Sequence, residues 1–96
     1  MIKFSVLIPT YNNLNYLKLA IESIKHNSIY EHEIILHIND GSDGTLNYAK
    51  NNKLIYTYSN DNIGLCSAIN KASTKVSTQY VLYVHDDMYL CKNWDQ

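Results

Sequence analysis

The feature that narrows the fold most is an alternation between short apolar runs of strand length and stretches whose apolar residues recur at three- and four-residue spacing. Phe4 to Ile8 is apolar apart from Ser5, and Pro9 stops the run because proline cannot donate to a ladder. The polar loop Thr10-Tyr11-Asn12-Asn13 follows, ending in an asparagine suited to cap a helix. Leu14, Leu17, Ile21 and Ile24 then predict an amphipathic helix to about Asn27. Glu33 to Ile38 is the second run, closed by the turn formers Asn39-Asp40-Gly41-Ser42-Asp43-Gly44. A short helix is expected from Thr45 to Asn51, with Asp43 or Thr45 to cap it. Leu54 to Tyr58 reads as the third strand and Ser59 to Asn62 as a loop. Ile63, Leu65 or Cys66, Ile69 and Ala72 predict a third helix ending near Ser73. Tyr80 to Val84 is the fourth strand, and its unbroken apolar and aromatic character predicts cover on both faces. Strands separated by helices need long connections over a sheet face, so the expected class is α/β with a parallel sheet and right-handed crossovers.

In such a sheet, ligands collect outside the carboxyl ends of the strands, and that is where Asp86 and Asp87 fall. A chain of 96 residues with 46% hydrophobic content supports one small domain. The net charge is −1 and the 8 basic residues, all lysines, are scattered, so no basic face exists to bind nucleic acid. Cys66 and Cys91 read as free thiols in a reducing compartment. No apolar run approaches the ~18 residues of a membrane span, and the N-terminus lacks a signal-peptide layout, so the expected location is cytoplasmic. His26 and His32 are expected to face solvent. His37 and His85 read as hydrogen-bonded filler, with His85 the better functional candidate.

Five segments recur in a telling order: Pro9-Thr10-Tyr11-Asn12, Asp40-Gly41-Ser42-Asp43-Gly44-Thr45, Asn62-Ile63-Gly64, Asn70-Lys71-Ala72 and His85-Asp86-Asp87. Together they span nearly the whole chain and resemble the N-terminal half of an inverting family 2 glycosyltransferase with the GT-A fold. The resemblance implies a three-layer α/β/α, Rossmann-like half-domain over residues 1–96 with strand order 3-2-1-4. It also implies a donor site for a nucleoside-diphosphate sugar, UDP- or dTDP-linked. Pro9, Thr10, Tyr11, Asn12, Asp40, Asn62, Gly64, Lys71 and Asp86 would form that site, with Thr10 and Tyr11 on the base and Asp40 accepting from a base N–H. Asp87, helped by Asp86, would hold Mg²⁺ or Mn²⁺. A divalent ion on the diphosphate neutralises the leaving group without proton transfer, and Mg²⁺ needs only one or two carboxylates beside phosphate and water. The general base and acceptor pocket are expected in a second half beyond Gln96, so the chain reads as truncated and inactive alone, with no closing element predicted at Trp94-Asp95-Gln96.

Each motif also has a purely structural use. Asp86-Asp87 can be a solvated turn, Asp40 an Asx-type turn before Gly41, Tyr11 a surface aromatic and Gly64 a helix start. Three departures from the resembled pattern stand out. Asn39 replaces an aspartate, the acidic turn is one residue shorter than Asp-Gly-Ser-x-Asp-Gly-Thr, which leaves the role of Asp43 open, and Ile69 stands where an arginine is frequent. Lys71 therefore offers a point charge rather than a bidentate clamp. A nucleotidyltransferase is disfavoured because no glycine-rich basic loop follows the first strand. A non-enzymatic interaction module remains as the other alternative. The fourth strand, left at an edge, is expected to mediate self-association through Tyr80 to Tyr89.

Overall fold

The computed structural model describes residues 2–95; the ends of the expected domain, Met1 and Gln96, lie outside the described residues. Four strands, β1 (Ile2–Tyr11), β2 (Glu31–Asn39), β3 (Ile55–Ser59) and β4 (Val81–Tyr83), form one sheet in the order β3-β2-β1-β4. Every pairing is parallel. The helices α1 (Leu14–Asn27), α2 (Thr45–Asn51) and α3 (Leu65–Ser73) connect them. The expected class and strand order are thus both present.

Strand periodicity divides the core into two layers. Val6 and Ile8 of β1 and Ile34, Leu36 and Ile38 of β2 pack with Leu17, Ile21 and Ile24 of α1 and Ala49 of α2. The alternate residues Leu7 and Ile35 point to the other face, under Ala72 and Ile69 of α3. Each fully buried aliphatic side chain contributes about 1.5–3 kcal/mol of transfer free energy. Ala68 and Ala72 have no exposed surface, and their small size lets α3 lie close to β1 and β2.

The structure corrects the sequence reading in several places. The fourth strand is not covered on both faces: it shrinks to three residues, pairs only with β1 among the described residues, and leaves Val81 52% exposed. Helix α3 starts at Leu65 rather than Ile63, because Gly64 takes φ +84° and ψ 167°, outside helical space. Asn13 makes no side-chain cap. The carboxylate of Asp43 accepts instead from the Leu14 N–H (3.1 Å), the Thr45 N–H (3.1 Å) and the Thr45 hydroxyl (2.6 Å), so one side chain serves the first turns of both α1 and α2. Burial acts to raise the Asp43 pKa, but the hydrogen bonds from Thr45 and Leu14 outweigh it and hold the carboxyl below its ordinary value.

His26 is exposed as expected, whereas the His32 side chain is buried. The chain after β4 accounts for this, because it runs back along α1 and closes the base of the sheet. The Leu90 N–H donates to Ser23 Oγ (3.0 Å), the Asn93 N–H to the Asn27 carbonyl (2.7 Å) and Trp94 Nε1 to Ser28 Oγ (2.7 Å). Trp94 and Phe4 flank the His32 ring, and Asp95 accepts from the backbone N–H groups of Ile29 and Tyr30 and from His32 Nε2. A closing element therefore exists where none was predicted. Cys66 and Cys91 are both free and exposed. Among the described residues, no helix is long and apolar enough to cross a membrane.

Candidate functional site

The carboxyl ends of β1, β2 and β4 and the first turn of α3 surround an open cleft of about 340 Å³. One wall is the end of β1 and the loop after it, Pro9 to Asn13, and the opposite wall is Asn62, Gly64, Leu65 and Ala68. Asn39 lies between them, and Tyr83, His85 and Asp86 complete the lining on the β4 side.

Thr10, 2% exposed, donates its hydroxyl to Asp86 Oδ2 at 2.8 Å, which ties the end of β1 to the segment after β4. An ionised carboxylate has about four acceptor positions, so this bond orients Asp86 without exhausting it. Tyr11 presents its ring to solvent. Asn12 adopts φ +45° and donates from Nδ2 to Asp40 Oδ2 at 2.9 Å, while its own Oδ1 is buried without a partner. Asp40, at φ +64°, also accepts the Ser42 hydroxyl (3.1 Å), so it has the turn role that residue type permits while standing one hydrogen bond behind the cleft wall.

Asn39 joins three segments. Its Nδ2 donates to the Thr10 carbonyl (3.3 Å), and its Oδ1 accepts from the Ser59 hydroxyl (3.0 Å) and the Ile63 N–H (3.1 Å). An aspartate here would have nothing to donate to Thr10, so the amide is the better residue for this geometry. Beneath it, His37 contacts Thr57 Oγ1 (2.7 Å) and Ser59 Oγ (3.1 Å). Burial pushes the pKa of His37 down, the Asn39 side chain opposes this, and the positive charge of Lys71 adds to the lowering.

Gly64 owes its identity to backbone conformation, since a Cβ added there would meet nothing within 4 Å at φ +84°. Asn62 Oδ1 accepts the Gly64 N–H (3.1 Å), which fixes the approach to α3. The helix thereby places its positive dipole end and unpaired N–H groups at the cleft. Across from it, the Tyr83 hydroxyl meets His85 Nδ1 at 2.9 Å. The phenol of Tyr83 is pushed up, first by burial and then by the negative charges of Asp86 and Asp87.

Of the residues singled out from sequence, the cleft brings together Pro9, Thr10, Tyr11, Asn12, Asn62, Gly64 and Asp86. Asp40, Lys71 and Asp87 lie outside its lining; Lys71 is exposed on α3, and Asp87 is exposed beside Asp86. Sequence reasoning did not place Asn13, Asn39, Leu65, Ala68 or Tyr83 at the site. For Tyr83 the signal was present: it lies two residues before His85, so an extended backbone directs both to one face.

Among the described residues, no three His, Cys, Asp or Glu side chains converge as a metal cage. A zinc-type centre with three or four protein ligands does not fit this cleft. A hard divalent ion held by Asp86 and Asp87 together with oxygens of a bound phosphate does fit, because the bond from Thr10 leaves Asp86 acceptor positions and Asp87 is exposed.

Comparison with known proteins gives a consistent result. The pattern of glycosyl transferase family 2 matches residues 5–96. An uncharacterized glycosyltransferase of Rickettsia typhi is 35% identical over 89 residues, covering 88% of this chain and 27% of that protein. The hyaluronan synthase of Pasteurella multocida is 32% identical over 91 residues, covering 90% of this chain and 9% of the synthase. Among solved structures, S. aureus TarS residues 1–349 in complex with UDP matches with a TM-score of 0.81 at 28% identity, covering 96% of this chain and 29% of that one. The chain therefore spans 27% or less of the length of these two curated relatives.

Proposed function

Because the chain belongs to glycosyl transferase family 2, we propose that it forms the donor-binding part of a transferase acting on a uridine- or thymidine-diphosphate sugar. The observation that carries this reading is the cleft itself. At the carboxyl ends of the strands it joins an exposed aromatic, Tyr11, a helix N-terminus at Gly64 and a carboxylate, Asp86, oriented by Thr10. The UDP complex of its structural neighbour TarS supports the choice of nucleotide.

Each part has a stated task in this reading. Tyr11 offers a ring face to the base. The unpartnered Oδ1 of Asn12 is an acceptor suited to a pyrimidine N–H, and Asp40, itself held by Ser42, orients that amide from behind the cleft wall. The first turn of α3 suits the diphosphate. Asp86 and Asp87 hold Mg²⁺ or Mn²⁺, which when bound neutralises charge on the departing nucleoside diphosphate. No residue of the cleft is assigned to deprotonate the acceptor.

Titrating the chain with UDP, with and without Mn²⁺, is expected to move amide signals at Thr10, Tyr11, Asn12 and Gly64, and at Asp86 only with the metal. Unchanged spectra at millimolar UDP would remove the donor-site reading. A finer part of the proposal concerns the outer edge of β4, where Val81 (52%) and the preceding Tyr80 (60%) are exposed. An unpaired edge is a template for another strand, so the chain is expected to self-associate. Sedimentation velocity at rising concentration checks this: the association should weaken in Val81→Lys, and a strictly monomeric native chain refutes it.

A further inference from the structure

We propose that His37 is a positioning residue for the cleft, fixing through Ser59 and Asn39 the two segments, at Thr10 and Ile63, that flank the bound nucleotide. Its functional consequence rests on the donor-binding reading above, but its structural basis does not.

His37 has no exposed surface and lies on the α3 face of β2, in register with Pro9 of β1 and Thr57 of β3. Strand periodicity would put an aliphatic residue there, as it does at Ile35 on the same face. A buried imidazole instead requires a partner at each nitrogen, and both are present.

The number of protons settles which nitrogen donates. The Ser59 hydroxyl has one proton and already faces two oxygens, Asn39 Oδ1 at 3.0 Å and the Asp61 carbonyl at 2.7 Å. A bare Nε2 would be a third acceptor for that proton and would strip the loop of it. With the proton on Nε2, the ring donates to Ser59, the Ser59 proton stays with the loop, and Nδ1 accepts from Thr57. A cationic ring is disfavoured by burial and by the nearby charge of Lys71, against the opposing effect of Asn39.

From Ser59 the linkage continues through the Asn39 amide, which accepts from the Ile63 N–H and donates to the Thr10 carbonyl. Thr10 leads into Tyr11 and Asn12, which line the cleft with it, and Ile63 lies between two further lining residues, Asn62 and Gly64. His37 is not itself part of the cleft lining, yet both walls depend on the hydroxyl it orients.

The first test is a long-range ¹H–¹⁵N correlation spectrum of the histidine rings in the whole chain. Protonated Nε2 with bare Nδ1 is expected, and the opposite tautomer would overturn the proposal. The second compares His37→Leu, which fills space without a donor, with His37→Gln, whose amide can still donate to Ser59. The leucine variant should bind UDP about tenfold more weakly, the loss expected for one hydrogen bond, and should shift the Ile63 amide and the Asn39 side-chain amide. The glutamine variant should recover most of both. Equal losses in the two variants, or unmoved Ile63 and Asn39 signals in His37→Leu, would overturn the assignment. If those signals respond as expected but the native chain binds no UDP, the His37 linkage stands and the donor reading falls.

Discussion

Asp86→Asn is expected to lower the affinity for UDP in the presence of Mn²⁺ by about a hundredfold, the scale of a lost charged contact worth roughly 2–3 kcal/mol. Asparagine is the informative replacement because its oxygen can still accept the Thr10 hydroxyl, which keeps β1 tied to the segment after β4. Only the charge disappears, so the melting temperature should barely change. Asp86→Ala would confuse two effects, since it leaves a hydroxyl that is 2% exposed without an acceptor, at a stability cost of about 1–3 kcal/mol. The control is the same titration with the metal chelated. There the carboxylate faces a diphosphate of like charge, so Asp86→Asn should bind UDP as well as the native chain or better. A loss of equal size with and without metal would mean that Asp86 contacts the nucleotide directly, and no loss in either case would remove it from the site. Tyr83 gives an internal check, because Asp86 contributes to its raised pKa and its phenolate titration should move back toward the ordinary value.

What sequence could foresee divides along the distance between interacting residues. The strands, helices and class rest on local periodicity, and these stand almost to the residue at α1 and α2. The position of the cleft was legible too, because the carboxyl ends of parallel strands are where such sheets bind ligands. Local patterns failed where a partner came from far away. Asn13 has the right identity for a cap, but Asp43, 29 residues later than Leu14, takes that place. The unbroken apolar run at β4 implied two covered faces, yet cover depends on what packs over the sheet, and α3 lies over β1 and β2 and leaves Val81 exposed. Asn39 looked like a tolerated departure from a more acidic pattern. Its value appears only when the β1–β2–β3 register sets a carbonyl, a hydroxyl and an amide N–H around one side chain. His32 follows the same rule, since nothing near it in sequence announces a hydrogen bond to residue 95.

The Asp95 carboxylate is the charged centre of that contact: Asp95→Asn is expected to destabilise the fold at neutral pH by about 3 kcal/mol, the scale of removing a buried carboxylate that accepts several hydrogen bonds. For a domain of this size that corresponds to a fall in melting temperature of roughly 12–20 °C. The carboxylate takes hydrogen bonds from the Ile29 N–H (2.8 Å), the Tyr30 N–H (2.9 Å) and His32 Nε2 (2.7 Å). His32 accepts the Phe4 N–H at Nδ1, so its Nε2 carries the proton and all three contacts are donors aimed at Asp95. An amide has one oxygen to offer them and turns its own N–H₂ toward the rest. In the native chain the same hydrogen bonds are expected to appear as a pH dependence of stability. Burial acts to raise the pKa of Asp95, but the N–H groups of Ile29 and Tyr30 and the His32 ring prevail, lowering it from 3.8 to about 2. Between those values the unfolded chain binds the proton before the folded one, so stability falls as the pH falls through that window. Above it the contribution is complete, at about 2 kcal/mol. Glu33 and Asp43, whose pKa values are also lowered in the fold, add their own loss on the acid side, so the Asp95→Asn curve should flatten below pH 4 without becoming level. Denaturation of both chains from neutral pH into this range decides the matter. If they melt together at neutral pH, the segment from Leu90 to Asp95 is not what closes the base of the sheet.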